Sequence, residues 1–182
     1  MKIFQKNLMV SEDVKAYLGT GVYYKETKQE SIHDGAIVVV GDLEDHSVYA
    51  GIKDVNVRKL TAPTAVTDKV VIVDYVGVSN GEIMGNTYRE GVKTAGLTAP
   101  KGERVRYRVP QVGDTFYLGT GNFDKAPTIG QFAGVTATDT ILTVDESAPV
   151  SGFGVKIEDK KTLTEGTVDT DTLYFCRVVS IA

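Results

Sequence analysis

The runs Ala36-Ile37-Val38-Val39-Val40 and Lys69-Val70-Val71-Ile72-Val73-Asp74-Tyr75-Val76 constrain this chain more than any other feature. Branching at Cβ restricts χ1 and favours extended backbone, and a run of such residues has no polar face to give to water. Glycine stops each run, at Gly41 and Gly77, and Asp34-Gly35 precedes the first. Short apolar runs bounded by turn residues are read as strands buried on both faces. Arg104-Val105-Arg106-Tyr107-Arg108-Val109 alternates strictly instead, the pattern of a strand with one apolar and one polar face. Further strands are expected over Val55 to Leu60, Thr115 to Leu118, Ile141 to Val144, Gly154 to Ile157 and Leu173 to Ile181. Helical periodicity is confined to Ser11-Glu12-Asp13-Val14-Lys15-Ala16-Tyr17-Leu18, where Ser11 caps, acids fill the first turn and Gly19 ends the run. The fold class that follows is all-β, a barrel or sandwich of about eight to ten short antiparallel strands.

The polar stretch Glu26 to Asp34 follows Tyr23-Tyr24 and marks off residues 1–31 as an N-terminal arm or strap. Residues 32–182 then form the β-rich domain, with a softer sub-boundary at 97–102, where Pro100 and Gly102 frame a turn. Tyr-Leu-Gly-Thr-Gly occurs at 17–21 and again at 117–121, but the flanking residues differ, so it reads as coincidence or a reused turn.

At 182 residues the chain can bury a core without metal or disulfide staples. Its net charge of -4 lacks the basic excess of a nucleic-acid binder. The single cysteine, Cys176, lies inside the apolar run Leu173 to Val179 and reads as a small packed residue, compatible with a reducing cytoplasm during synthesis. Met1 to Val10 lacks the continuous apolar stretch of a signal peptide, and no run approaches a membrane span, so neither secretion by that route nor a membrane partner is expected.

Residues that carry chemistry are sparse. Asp42-Leu43-Glu44-Asp45-His46 gathers carboxylates and an imidazole without the spacing of a calcium loop, and reads as a solvated loop leaving the strand at Val40. Asp139, Asp145, Glu146, Asp169 and Asp171 fall in Thr-rich turns, where carboxylates bond to nearby N–H groups. His33 and His46 are the only histidines, no Gly-x-Ser-x-Gly elbow accompanies them, and a cysteine inside an apolar strand is a poor nucleophile. Gly77-Val78-Ser79-Asn80-Gly81 and Gly119-Thr120-Gly121-Asn122 lack the lysine and following helix that cradle phosphate, and Ser79-Asn80-Gly81 suits a hairpin turn. No catalytic residue, metal ligand or cofactor site is assigned, and the chain is expected not to be an enzyme.

The strongest surface feature is the arginine row. Alternation places Arg104, Arg106 and Arg108 on one face at steps of about 6.8 Å. Guanidiniums in a row repel unless something neutralises them, which leaves three readings: cross-strand acids of the chain itself, a partner surface, or phosphate.

From Ala99 onward the layout becomes familiar. Ala99-Pro100-Lys101-Gly102-Glu103-Arg104-Val105-Arg106-Tyr107-Arg108-Val109, then Gly113-Asp114-Thr115-Phe116-Tyr117-Leu118, then Pro127-Thr128-Ile129-Gly130-Gln131-Phe132, and later Gly152-Phe153-Gly154-Val155-Lys156-Ile157, resembles the small β-rich capsid decoration (auxiliary head) proteins of tailed bacteriophages. The likeness is a pattern of turns over roughly the C-terminal half, and the N-terminal half departs from it, which leaves a head–tail connector or tail component open. It implies a non-catalytic virion structural protein, made in the bacterial host cytoplasm, that binds the major capsid protein lattice as a homo-oligomer. Many weak contacts repeated over a lattice give avidity without one strong site. On that reading the arm exchanges between protomers or adds a strand to a neighbour's sheet. Tyr17, Tyr23 and Tyr24 are then contact anchors alongside Arg104, Arg106 and Arg108, with packing on the chain's own sheet as the alternative for the tyrosines. A carbohydrate-binding or adhesion module is the reading from another class, with exposed tyrosines stacking on sugar rings; the absence of tryptophan counts slightly against it.

Overall fold

A computed structural model describes residues 4–8, 18–45, 51–75, 98–165 and 169–182. The fold among them is all-β. Five strands close a barrel: β2 (Leu18–Lys25), β5 (Ile37–Asp45), β6 (Lys53–Thr61), β7 (Val70–Asp74) and β9 (Val105–Arg108), in the order β2-β6-β5-β7-β9 and back to β2. All neighbours are antiparallel except β2 and β6. The short β3 (Lys28–Gln29) folds back on β2, and β4 (Ile32–His33) pairs with β8 (Thr98–Ala99). An antiparallel flanking sheet has the order β1-β10-β14-β13-β11-β12, built from β1 (Phe4–Leu8), β10 (Thr115–Gly119), β11 (Phe132–Val135), β12 (Leu142–Asp145), β13 (Gly154–Glu165) and β14 (Asp169–Ser180).

The two apolar runs form the wall that these layers share. Along β7, Val71 and Val73 point into the barrel with Tyr23, Val38, Leu60 and Val105, while Val70 and Ile72 join Phe116, Leu118, Phe153 and Ile157 under the flanking sheet. Along β5, Ile37 serves the outer core and Val38 the inner one. A strand with a core on each side cannot hold a polar residue on either face, which is why these segments read as unbroken β-branched runs. Burying a side chain of this size is worth about 1.5–3 kcal/mol.

Glycine shapes the barrel interior at β2. A Cβ on Gly19 would lie 2.1 Å from Tyr107 Cζ, and one on Gly21 would lie 2.5 Å from Leu60 Cγ, so the two glycines make room for those side chains. The second Tyr-Leu-Gly-Thr-Gly ends β10 and enters a 3-10 turn at Thr120–Asn122, so the repeated pentapeptide is not a structural repeat.

Several expectations change. Within residues 1–31, the described segments are not set apart from the sheets: Phe4–Leu8 pairs with β10, and Leu18–Lys25 is a barrel stave. The segment Asp42-Leu43-Glu44-Asp45 continues β5 instead of looping away, because its pairing with Lys53 to Arg58 prolongs the hairpin. β13 runs on to Glu165, well past Ile157, and Asp169 and Asp171 belong to β14. At the supposed sub-boundary Thr98–Ala99 is a strand, and Ala99 is buried in the barrel core. Asp139 and Asp145 do bond to nearby N–H groups, of Thr140, Ile141 and Ser147. Of the expected helix over Ser11 to Leu18, only Leu18 is described, and it opens β2; residues 11–17 with Tyr17 among them, the turn at Ser79-Asn80-Gly81 and His46 lie outside the described residues. Among the described residues no helix is long and apolar enough to cross a membrane.

Candidate functional site

Polar groups concentrate where the shared wall meets the flanking sheet, in the turn from β4 to β5. Gly35 adopts φ +70°, and its N–H bonds Val73 O at 2.9 Å, folding the chain back over Asp34. Asp34 is 2% exposed. Its Oδ2 accepts the Phe4 N–H at 2.7 Å, and its Oδ1 accepts the Tyr75 N–H at 2.9 Å. Its carbonyl accepts from Asn122 Nδ2 at 2.8 Å and from His33 Nδ1 at 3.0 Å. A carbonyl only accepts, so Nδ1 carries a proton, and in the neutral ring Nε2 takes the Thr140 hydroxyl at 3.2 Å. Burial pushes the Asp34 carboxyl up to about 7; the N–H groups of Phe4, Tyr75 and Gly35 pull it down, and the nearby Asp74 adds to the rise.

Asp74, at the end of β7, closes the other side of this knot. Its Oδ2 lies 2.5 Å from Arg108 Nε and 2.9 Å from Arg106 Nη2. Arg104 reaches Asp54 Oδ2 at 2.8 Å. The arginine row is thus matched by the chain's own carboxylates. Its members also differ in access: the side chains of Arg104 and Arg106 are 58% and 45% exposed, but that of Arg108 is 2% exposed, which removes it from any partner-facing row. The sequence did carry a signal for Asp74, a lone charge in a run buried on both faces; Asp34 read only as a turn residue.

The tyrosines divide similarly. Tyr23 is buried in the barrel, and burial raises its hydroxyl pKa. Tyr24 faces outward, donates to Glu44 Oε1 at 2.5 Å and accepts from Gln29 Nε2 at 3.1 Å, with the Lys59 ammonium 5.4 Å from its ring centroid. Glu44 and Asp54 are cross-strand partners in the β5–β6 hairpin, so Tyr24 and Arg104 both attach to it. The hairpin holds further ion pairs, from Asp45 to Lys53 and to Lys59.

In the same hairpin Ile52 and Val55 are 55% and 75% exposed. Exposed apolar side chains near charged and hydrogen-bonding groups are a usual ingredient of a protein interface. This outer end of the β5–β6 hairpin, with Tyr24 and Arg104 beside it, is the candidate site. It can supply apolar contact area and rim hydrogen bonds.

Other features are weaker. A cavity of about 210 Å³ between Val70, Val109, Pro110, Phe153 and Ile181 falls below the usual range of small-molecule sites. Cys176 is fully buried and donates to Tyr174 O, and burial pushes its thiol well above the ordinary value. On the outer face of the flanking sheet, the Tyr117 and Phe175 rings lie tilted at 48° with centroids 5.0 Å apart, and the Lys161 ammonium sits 3.9 Å from the Tyr117 ring centroid. Among the described residues, no three His, Cys, Asp or Glu side chains gather to hold a metal ion. No family model, curated protein or solved structure matches the chain.

Proposed function

We propose that this chain is a non-catalytic structural protein of a tailed-phage virion, which decorates and stabilises the capsid by binding the major capsid protein lattice as a homo-oligomer. The observation that carries the reading is the outer end of the β5–β6 hairpin, where the apolar Ile52 and Val55 stand exposed on the same hairpin as the ion-paired Asp45, Lys53 and Asp54. Such a patch acts through contact area, and a lattice multiplies modest contacts into tight binding. The pattern of turns from Ala99 to Ile157 adds the direction, toward capsid decoration in place of some other assembly.

The test is quantitative mass spectrometry of purified phage particles from the source strain. A high copy number in a fixed simple ratio to the major capsid protein is the expected result. A handful of copies per particle moves the chain to the neck or tail, and absence from particles overturns the virion reading. A Val55→Asp variant is expected to leave the unfolding midpoint unchanged, because Val55 is 75% exposed, while lowering occupancy on particles lacking the wild-type chain. Unchanged occupancy removes the hairpin from the interface.

A further inference from the structure

One carboxyl pins the two layers of the molecule together. Oδ2 of Asp34 takes the N–H of Phe4, the first residue of β1, at 2.7 Å, and Oδ1 takes the N–H of Tyr75, the residue after β7, at 2.9 Å. The first bond reaches the flanking sheet and the second the barrel. The turn around Asp34 is held separately, by Gly35 N–H on Val73 O and by the Asn122 amide and His33 Nδ1 on the Asp34 carbonyl.

An ionised carboxylate in this place has no cation of its own. The charged and titratable groups around it are Asp74 at the end of β7, Arg106 and Arg108 on β9, and His33 on β4. Both arginines are engaged by Asp74, whose charge opposes a second one nearby. His33 uses Nδ1 on the Asp34 carbonyl and Nε2 on the Thr140 hydroxyl. Two N–H dipoles do not replace the hydration of a buried charge. Of the elements joined at Asp34, β1 is the one built to yield. It is a five-residue edge strand with a register shift before Leu8, paired on one side only among the described residues. Short edge elements open locally at lower cost than strands inside a sheet. Lifting β1 takes the Phe4 N–H off Oδ2 and the Phe4 ring off Phe116, and gives the carboxyl to water.

We propose that Asp34 is a proton-operated clasp, which holds Phe4–Leu8 on the β10 edge while its carboxyl is neutral and loosens that strand when the carboxyl ionises. In the closed form burial pushes the carboxyl up to about 7, and in the open form it returns toward its ordinary 3.8. The closed form therefore keeps a proton that the open form gives up. Opening becomes about tenfold easier for each pH unit between about 4 and about 7, and changes no further above that. Nothing in this device involves phage particles, so it stands or falls separately from the virion assignment.

Amide hydrogen exchange of the full-length chain, followed by NMR from about pH 4 to about pH 9 and corrected for intrinsic rates, reads the opening at the Phe4 N–H. Its protection is expected to fall about tenfold per pH unit up to about pH 7 and then to level off, and the fall to vanish in Asp34→Asn. His33, Asp74 and both arginines are present in the two proteins, so the difference isolates Asp34. Low urea is expected to leave exchange at Phe4 unchanged while it speeds exchange of the bonded Ile157 and Val178 N–H groups in β13 and β14, since local opening exposes little surface. A flat wild-type profile, a fall that survives Asp34→Asn, or exchange at Phe4 that follows Ile157 and Val178 in urea overturns the proposal. Should Asp34→Asn fail to fold, the carboxyl carbon of Asp34 is titrated in the unmodified chain through its 13C shift. A midpoint that coincides with the pH at which Phe4 protection levels off is expected, and any other midpoint overturns it.

Discussion

Asp34→Asn separates the two forces acting on the most buried carboxylate among the described residues. Asparagine keeps the shape and removes the charge, but offers one acceptor oxygen where the carboxylate offers two to Phe4 and Tyr75. One of those N–H groups then faces an amide NH2, and a buried donor left unpaired costs about 1–3 kcal/mol. Relief of the buried charge opposes this. With the folded carboxyl at about 7 and its ordinary value at 3.8, the gap of roughly 3 pKa units corresponds to about 4 kcal/mol. The folded pKa is raised, so the folded state holds its proton more tightly than the unfolded chain does. The stability this provides is complete below about pH 4 and is lost as the pH rises to about 7. At about pH 4 the wild-type side chain is itself a neutral near-isostere of asparagine, and the two proteins are expected to differ by about 1 kcal/mol or less. At about pH 8 the wild type has lost that stability while the amide has not, so Asp34→Asn is expected to be the more stable by about 3–5 kcal/mol. Urea unfolding of both proteins across that range reads the difference directly, and the other titrating groups, His33 included, are common to both. A difference that stays flat, or that moves in favour of wild type as the pH rises, refutes the reasoning. It would mean that the converging N–H donors outweigh burial and keep Asp34 ionised.

Gly19→Ala places a methyl group 2.1 Å from Tyr107 Cζ and is expected to cost about 1–3 kcal/mol in urea unfolding, with partial recovery when Tyr107→Leu is added; a neutral result contradicts the packing. Asp74→Ala leaves the buried Arg108 without its carboxylate and is expected to cost about 3–5 kcal/mol, and Asp74→Leu with Arg108→Met to recover most of it, since the burial of an unpaired charge is the chief loss. Cys176 is expected to resist a thiol reagent in the native protein and to react on unfolding; fast native labelling contradicts its burial and raised pKa.

What could be read from the sequence was what depends on local side-chain chemistry. Val70 to Val73 declared a strand buried on both faces because each side chain carries the evidence itself. Arg104 to Arg108 declared its alternation in the same way, but sequence could not say which arginine would be covered. Burial of Arg108 comes from β9 lying beside β7 at the edge of the shared wall, a tertiary fact. β1 and β2 carry no clear strand signal, because Phe4–Leu8 has no alternation and Leu18–Lys25 carries two glycines, which weaken strand propensity. Only the Tyr107 ring and Leu60 explain those glycines, and both come from distant strands. The candidate hairpin was hidden for a similar reason: its acids suggested solvent, and pairing with Lys53 to Arg58 made them strand.

The energetics of the arginine row also rank its members as contacts. Arg104 and Asp54 form an ion pair whose guanidinium stands in water, and pairs of that kind contribute about 0–1 kcal/mol. A partner carboxylate could take over the exposed Arg104 guanidinium, while Asp54, whose side chain is only 13% exposed, would keep the Asn56 N–H on its Oδ1. Arg106 shares Asp74 with the buried Arg108, so drawing it away leaves Asp74 one counter-ion in place of two, close to the second buried acid, Asp34. Arg108 is not available at all, because removing its partner strands a charge inside the protein. On the proposed reading, recognition by this face falls on Arg104 and on the hairpin beside it, where Ile52 and Val55 are exposed. The arginine row ties the barrel strands β9, β7 and β6 to one another, and on the proposed reading the outer end of the β5–β6 hairpin is the surface left for a partner.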